Sequence, residues 1–523
     1  MRTNKPFWKS VATVVVAAFV GTLLAAVPVA ANAATWEDQL PREDWPEPVS
    51  ADALPTVQIG DGVIWGVKVA GSVAYAVGEF STARPAGAAP GVNEVPRSNF
   101  LAFDVATGEL LPFAPTFNAV VKDVAVTPDG TKLVAVGNFT QVNGQPRNRI
   151  AVFDLATGQL ASLAKTPDLN GPASTVALTD TVAYVGGYFS AVNGETSARL
   201  GAIRLTNGNI VAGFRTRFND ANGVRQPTIP DNQVLALTVN GDGTRVMAAG
   251  NFTRAAFANG AGVTAYSTAN GRDGDSQGYG IAMFDAADGS KALTMSANSA
   301  VRNAGGNAWL FSLTSDGTNA YGTGGHWGSA GTIEGAFSID WASGNLNWIQ
   351  DCHGDSYDIA SVGELVYAAS HNHYCGNSGG FSQVDNGGWT FYHSTAWTKT
   401  VSGINTADPY GYPDHPGTPH PQLTYWFPYT PSGTYTGKNQ AVWTVDGNEQ
   451  YVVYGGEFTS VNGGAQQGLV RYTVKSNAPN KQGPRPSQEQ EREAHDAGIS
   501  FSAWWGPKVN NAIPGVLRAS FPT

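Results

Sequence analysis

The feature that most constrains the fold is a three-residue motif, Gly-x-aromatic, that recurs at the ends of apolar segments. A sequence with a repeated unit is first tested as a repeat architecture, because each unit then has to pack against the next. Six clear copies begin at Gly78, Gly137, Gly187, Gly250, Gly325 and Gly456. A seventh, degenerate copy lies where Ala369, which aligns with Gly187, leads into Ser370-His371-Asn372. The chain therefore contains seven related units.

Each unit has the pattern of a small antiparallel sheet. Short apolar segments are separated by Asn-Gly and Asp-Gly turns, which supply the positive φ that tight hairpins need. In the second unit the predicted strands are Val121–Val126, Leu133–Phe139, Ile150–Asp154 and Gln159–Leu163. The pattern predicts an all-β fold made of four-stranded sheets.

Such a sheet cannot bury both of its faces alone, so the copies must stack, and radial closure removes the exposed sheet edges. We therefore predict a seven-bladed β-propeller over residues 34–476. The last unit ends after its third strand, Leu469–Val474, whereas a lone strand, Pro55–Ile59, precedes the first unit. We expect this early strand to complete the last blade and close the ring. A pair of β-sandwiches or an open solenoid would leave these two ends unexplained.

The N-terminus has the pattern of a secretory signal peptide. Arg2, Lys5 and Lys9 precede the apolar run 11–29, which ends in the small-residue site Ala31-Asn32-Ala33. This order is typical of a cleavable leader and predicts removal of residues 1–33. The alternative is a retained membrane anchor, because the run approaches spanning length. We expect a secreted protein, extracellular or attached to the cell surface, with no membrane span in the mature chain.

The charge of the chain argues against nucleic-acid partners. The formal net charge is −10, and the leader contains three basic and no acidic residues, so the mature chain is more acidic still. A nucleic-acid-binding protein needs a basic surface instead. Beyond the repeats, residues 477–515 are predicted to be a linker or tail. Residues 516–523 indicate either the start of a truncated fibronectin-like domain or a short tail packed on the ring.

The only two cysteines, Cys352 and Cys375, are predicted to form a disulfide, because an exported chain folds under oxidising conditions. Free thiols and metal ligation are the alternatives. A bridge here closes a loop of about 24 residues and stabilises the fold by roughly 3 kcal/mol in the chain-entropy model.

Seven of the eight histidines lie between His326 and His420, in units five and six. The disulfide brings the segments around its two cysteines together. Three interpretations remain open: a ligand or metal site, structural hydrogen bonding around the disulfide, or acid–base catalysis. Imidazoles with carboxylates suit a divalent ion such as zinc, copper or iron, and His353, His371 and His373 are the candidate ligands. The candidate binding residues are Asp351, His353, Asp355, His371 and His373.

Aromatic residues and one carboxylate near this cluster are further candidates for binding. Trp327 and Glu334 of unit five are placed to line the same entrance, although Trp327 is also explained as the aromatic residue of the repeated motif. Exposed aromatic residues suit sugar stacking, but the same segment is equally able to pack onto the ring as a flap. The segment after unit six contributes Trp389, Trp397, Tyr410, Tyr412, Tyr425 and Trp426.

Two units resemble a known family. Residues 137–144 with 149–154, and residues 456–463 with 466–471, resemble the delta-60-like repeat propellers of secreted bacterial proteins. The resemblance covers about residues 52–480 and implies fold and export, but no established activity. Residues 351–355 and 371–375 match a subgroup that commonly continues into fibronectin-like or laminin G-like modules.

From these observations we expect a non-catalytic propeller that binds a glycan, a surface polymer or a cell-surface protein through the face that carries units five to seven. The alternative is a metal-dependent hydrolase or lyase that uses His353, His371 and His373. A propeller hosts both kinds of site, so the fold does not choose between them.

Overall fold

The computed structural model describes residues 46–219, 232–258, 276–328, 330–383, 389–424 and 426–480. The predicted signal peptide, the segment from residue 481 onward and Tyr425 lie outside the described residues. Within the described part of the chain, helical structure is limited to two 3-10 turns, Ser296–Ser299 and Gly376–Ser378. No helix found there has the length and apolarity needed to cross a bilayer.

The predicted all-β fold is confirmed. The larger antiparallel sheets of the described residues, numbered 1 to 7 in chain order, are sheet 1, Val63–Ala70, Val73–Glu79 and Phe100–Asp104; sheet 2, Val121–Val126, Lys132–Gly137, Ile150–Asp154 and Gln159–Leu160; sheet 3, Ala173–Leu178, Val182–Gly187 and Leu200–Arg204; sheet 4, Val234–Val239, Arg245–Gly250 and Ile281–Asp285; sheet 5, Ala308–Ser315, Asn319–His326, Ala336–Asp340 and Leu346–Gln350; sheet 6, Ser356–Val362, Leu365–Asn372, Tyr392–Ile404 and Pro419–Leu423; and sheet 7, Val442–Gly447, Tyr451–Gly456 and Leu469–Thr473.

Smaller sheets of two or three short strands extend the loops between these seven sheets. They comprise Gln58–Ile59 with Thr82–Arg84 and Val95–Pro96; Gln141–Val142 with Gln145–Pro146; Ala191–Val192 with Glu195–Thr196; Arg217–Asn219 with Arg254–Ala256 and Ser276–Gly278; and Ser460–Val461 with Gly464–Ala465. A fourth strand is reduced to a single bridge in sheets 1, 3 and 4, at Phe103–Leu110, Ile203–Ile210 and Phe284–Lys291.

The glycine of the repeated motif has a steric cause. A Cβ atom on Gly78 would lie 2.0 Å from the carbonyl oxygen of Val63, and one on Gly456 would lie 2.0 Å from that of Ala441. In sheets 1 and 7 the backbone at the start of the first strand therefore approaches the end of the second strand too closely for a side chain. In sheet 5 the equivalent residue is Gly324, which pairs with Leu310.

The pairing corrects two motif assignments by one residue. The motif of sheet 5 is Gly324-Gly325-His326, and in sheet 6 Ser370, which pairs with Ser356, takes the place of the glycine. The shift arises because backbone pairing sets the position of a residue in a sheet, and the sequence pattern alone does not show that pairing. The third motif position is a buried phenylalanine in five sheets, Phe80, Phe139, Phe189, Phe252 and Phe458, and is occupied by the buried His326 and Asn372 in sheets 5 and 6.

The first strands of the seven sheets lie next to one another. Each contacts the first strand of the following sheet, and that of sheet 1 also contacts that of sheet 7. Together they line one cavity of about 460 Å³, which we call the inner cavity. The first strands of all seven sheets therefore converge on one cavity.

The segment before sheet 1 lies along sheet 7. The backbone N–H of Ser50 donates to Thr473 O at 2.8 Å, and that of Leu54 donates to Arg471 O at 3.0 Å. The predicted strand at 55–59 is shorter than expected: Gln58–Ile59 is the strand, and it pairs with Thr82–Arg84. Beyond Leu54 the segment turns to the loop that follows Phe100–Asp104 of sheet 1, where the N–H of Val57 donates to Gly108 O at 2.9 Å.

Candidate functional site

The predicted disulfide between Cys352 and Cys375 is confirmed, with Cα atoms 4.2 Å apart. It joins the chain after the last strand of sheet 5 to the chain after the second strand of sheet 6. Backbone hydrogen bonds extend this link: His353 N–H donates to Tyr374 O at 2.8 Å, and His373 N–H donates to His353 O at 2.9 Å. The two histidine-bearing segments are therefore held side by side.

His353 lies between two carboxylates. Its Nδ1 is 3.3 Å from Glu334 Oε2 and its Nε2 is 3.2 Å from Asp408 Oδ2. The side chains of His353 and Asp408 are almost completely buried. Each ring nitrogen of His353 therefore faces a carboxylate oxygen. We call Glu334, Asp351, His353 and Asp408 the covered cluster.

The loop of residues 405–418, which joins the last two strands of sheet 6, covers this cluster. The carboxylate of Asp351 accepts hydrogen bonds from His415 N at 2.9 Å and Asn377 Nδ2 at 3.0 Å, and burial raises its pKa. The ring of Tyr412 lies over His353 with centroids 4.5 Å apart. His353 is 1% exposed. Its nitrogens and the Asp351 carboxylate therefore hold the loop in place.

Asp355 is a buried carboxyl group beside the covered cluster. Burial, and secondarily the charge of Glu334, raise its pKa to about 7, although the backbone N–H of His326 donates to it. Burial also opposes ionisation of Glu334, but hydrogen bonds from His353 and Gly354 and the charge of His326 outweigh it and hold the pKa of Glu334 below its usual value. Two carboxyl groups of opposite pKa shift thus lie close together.

Both ring nitrogens of His371 are engaged. The backbone N–H of Asp355 donates to Nε2 at 3.2 Å, so this nitrogen carries the lone pair and Nδ1 carries the proton. Nδ1 faces Tyr357 Oη at 2.6 Å and Gln440 Oε1 at 3.1 Å. Burial lowers the pKa of His371 to about 4, so the ring is neutral at pH 7. It has no lone pair left for a metal ion.

His373 belongs to an aromatic surface. Its ring stacks on Trp389, with centroids 4.1 Å apart and planes 17° apart, and its Nδ1 is 2.9 Å from Gln383 Oε1. Burial lowers the pKa of His373. Trp389 is 46% exposed and Phe391 is 38% exposed. This histidine therefore supports exposed rings.

The three predicted metal ligands do not converge. His353 faces Glu334 and Asp408, His371 faces Tyr357 and Gln440, and His373 faces Gln383. Among the residues that the structure describes, no group of three or more His, Cys, Asp or Glu side chains is placed to hold a metal ion.

The first strand of every sheet contains a β-bulge at the same point, and the extra residue faces the inner cavity. In sheets 5, 6, 7 and 1 that residue is aromatic, whereas in sheet 2 it is lysine. The seven bulged residues are Trp65, Lys122, Ser174, Leu235, Phe311, Tyr357 and Trp443.

These rings continue outward as one row, which we call the aromatic track. Its members in order are Trp65, Trp443, Tyr357, His371, Phe391 and Trp389, and successive ring centroids are 5.0, 4.6, 5.6, 5.5 and 6.3 Å apart. The track runs from the inner cavity to the exposed rings of Phe391 and Trp389, which precede the third strand of sheet 6. Five strands or loops of three sheets contribute to it.

Two expectations are wrong: Trp426 as an exposed stacking ring, and Trp327 as the aromatic residue of the repeated motif. Trp426 is 0% exposed and packs against Tyr367, Tyr454 and Tyr472, so it is part of the core and offers no stacking surface. Trp327 does not occupy the buried position of the motif, which His326 fills, and is 72% exposed.

Several site residues were missed by sequence reasoning. Asp408 lies 55 positions beyond His353, and no local pattern connects them. The bulged residues gave no signal either, because a bulge is visible only once strand pairing is known. Gln440, whose Oε1 lies 3.1 Å from His371 Nδ1, belongs to no motif of the sequence.

Comparisons with known proteins bear on the fold. A family model described as a domain of unknown function, DUF5122, beta-propeller, matches residues 127–153, which supports a β-propeller family. No curated protein matches the chain. A chain in a crystal structure of the mitotic checkpoint complex aligns at 11% identity and a TM-score of 0.45, covering 82% of this chain and 98% of that chain. The computationally designed Ika8 protein aligns at 11% identity and a TM-score of 0.39, covering 82% and 100%.

Proposed function

We propose that residues 34–476 form a closed, seven-bladed propeller of the delta-60-like kind, which is exported after loss of residues 1–33. The contact between the first strands of sheets 1 and 7 supports closure. The hydrogen bonds of Ser50 and Leu54 to sheet 7 support a ring joined by its N-terminal segment. The disulfide fits an oxidising compartment.

We further propose that this propeller binds a glycan along the aromatic track without transforming it. The observation that carries the proposal is the row of six rings with accessible aromatic surface at both of its ends, because sugar units stack on accessible aromatic faces. Trp389 and Phe391 at the outer end are exposed, and Trp443 and Trp65 at the inner end are partly exposed. Trp327 on the neighbouring sheet 5 is available as an additional stacking surface.

Polar groups beside the track provide the hydrogen bonds that a sugar needs. Gln440 lies along it, and Gln383 lies beside His373 at its outer end. A site that pairs flat apolar surface with a few placed polar groups is typical of small-molecule recognition.

The metal-dependent hydrolase has no comparable support. His371 has both nitrogens engaged, and His353 is covered by the loop 405–418. We therefore put forward the binding function alone.

The test is a binding titration of the mature protein against a panel of bacterial and plant cell-wall oligosaccharides. We expect the double substitution Trp389→Ala with Phe391→Ala to weaken binding at least about tenfold. Tyr188→Ala is the matched control, because Tyr188 is an equally exposed ring on sheet 3, away from the track. Equal binding by all three proteins, or hydrolysis of a bound oligosaccharide, would refute the proposal.

A further inference from the structure

The inner end of the aromatic track meets a cation. Lys122, the bulged residue of sheet 2, places its Nζ 3.8 Å from the ring centroid of Trp65. Within the described residues no carboxylate lies close enough to form an ion pair with it. Burial lowers the pKa of Lys122 to about 8, although Glu79 acts in the opposite direction. A desolvated ammonium of this kind gains much from an anionic partner.

A second donor lies beside it. The indole Nε1 of Trp65 is buried and has no hydrogen-bond partner among the described residues. Trp443, the neighbouring ring, instead donates its Nε1 to Glu457 Oε1 at 2.9 Å. Because a buried donor without an acceptor costs free energy, Trp65 is poised to donate to a ligand.

The carboxylates deeper in the inner cavity are already satisfied by the protein. Asp358 accepts from Ser312, from Thr444 Oγ1 at 2.8 Å and from Val445 N at 2.8 Å. Asp123 accepts from the backbone N–H groups of Val124 and Val176. They tie neighbouring first strands together. The groups left for a ligand at the rim are therefore donors.

The rim is open on the side opposite the rings. There the bulged residues are Ser174 and Leu235, which are smaller than the aromatic side chains facing them. The inner cavity, at about 460 Å³, lies within the roughly 300–1,000 Å³ of small-molecule sites. One sugar unit at the end of a chain therefore has room beside the rings.

We propose that the inner cavity holds the terminal uronic acid of an acidic glycan, with its carboxylate on Lys122 Nζ and Trp65 Nε1. This inference rests on the proposed function, because the rest of the chain would lie along the aromatic track. It adds a charge requirement and a direction to that site: the acidic end lies inward, and the glycan leaves past Phe391 and Trp389.

The experiment compares a hexasaccharide of glucuronic acid with the same hexasaccharide after reduction of its carboxyl groups. We expect Lys122→Met to weaken binding of the acidic probe at least about tenfold and to leave the reduced probe unchanged. Lys122→Arg, which keeps the charge, should restore most of the binding. Trp65→Phe keeps a ring and removes the donor, and should weaken the acidic probe by a smaller factor.

Stoichiometry tests the position at the chain end. We expect one protein per chain for the hexasaccharide and for a polymer of the same sugar several times longer. More proteins per longer chain would overturn end binding.

Equal effects of Lys122→Met on both probes, or no effect on either, would overturn the charge requirement. If the Trp389 and Phe391 double variant still weakens both probes in that case, the proposed glycan function stands without this inference. If that variant is also without effect, both proposals fail. Melting temperatures of all variants show whether the fold is retained.

Discussion

At the scale of single residues, the clearest deviation from the repeat is the replacement of a core phenylalanine by His326 and Asn372. Their atoms Nδ1 and Oδ1 are buried without hydrogen-bond partners among the described residues. Such groups are unfavourable in a core, and here they border the covered cluster and the track. The sequence indicated that units five and six differ, but the shifted motif hid which residues occupy the core position.

Asp355 gives a pH-dependent prediction. Its pKa is raised to about 7 from an unfolded value near 4, so the folded protein binds more protons between these values and its stability falls as the pH rises through this window. The slope is at most about 1.4 kcal/mol per pH unit. Asp355→Asn removes this loss, so we expect thermal melts to show a gain in stability at pH 8 and little change at pH 4. An equal effect at both pH values would contradict the shift.

Trp426 and Trp389 are predicted to separate stability from binding. Trp426→Ala leaves a large cavity among Tyr367, Tyr454 and Tyr472, and should lower the free energy of unfolding by about 3–5 kcal/mol. Trp389→Ala removes an exposed ring and should leave stability nearly unchanged. Chemical denaturation of both variants measures the difference. Similar losses in the two would contradict the assigned burial.

At the scale of elements, the disulfide and the loop 405–418 organise sheets 5 and 6. The disulfide was predictable from the two cysteines together with the expected export of the chain. The loop contacts were not, because the Asp408–His353 and His415–Asp351 pairs join residues 55 and 64 positions apart. Of the interpretations of the histidine cluster, structural hydrogen bonding best describes His353 and Asp351.

The disulfide makes a stability prediction. Native protein should contain no titratable thiol. The double substitution of Cys352 and Cys375 by Ser should lower the free energy of unfolding by roughly 3 kcal/mol, because the bond links residues 23 positions apart in sequence. Thiol titration and denaturant unfolding check both points. Two reactive thiols in unreduced protein would refute the pairing.

At the scale of the whole molecule, the repeated unit was sufficient to predict the sheets. The strands Val121–Val126 and Ile150–Asp154 match their predicted bounds. The position of the N-terminal segment was predicted less well: its contact with sheet 7 involves Ser50 and Leu54, whereas Val57 already bonds to Gly108 beside sheet 1. Bulges in all seven first strands also escaped prediction, since they depend on pairing between strands.

The joining segment can be tested by truncation. A chain that starts at Gly62 loses the hydrogen bonds from Ser50 and Leu54 to sheet 7, and also the Val49 N–H bond to Tyr367 Oη at 2.9 Å. We expect it to melt several degrees below a chain that starts at Ala34. Equal melting temperatures would show that these hydrogen bonds contribute no stability.

The central claim is that the aromatic track binds a glycan, and a crystal structure of the mature protein with the glucuronic acid hexasaccharide tests it most directly. We predict sugar rings stacked on Trp389, Phe391 and Trp443, with the terminal carboxylate beside Lys122. Sugar bound on another face of the molecule, with the track unoccupied, would contradict the account.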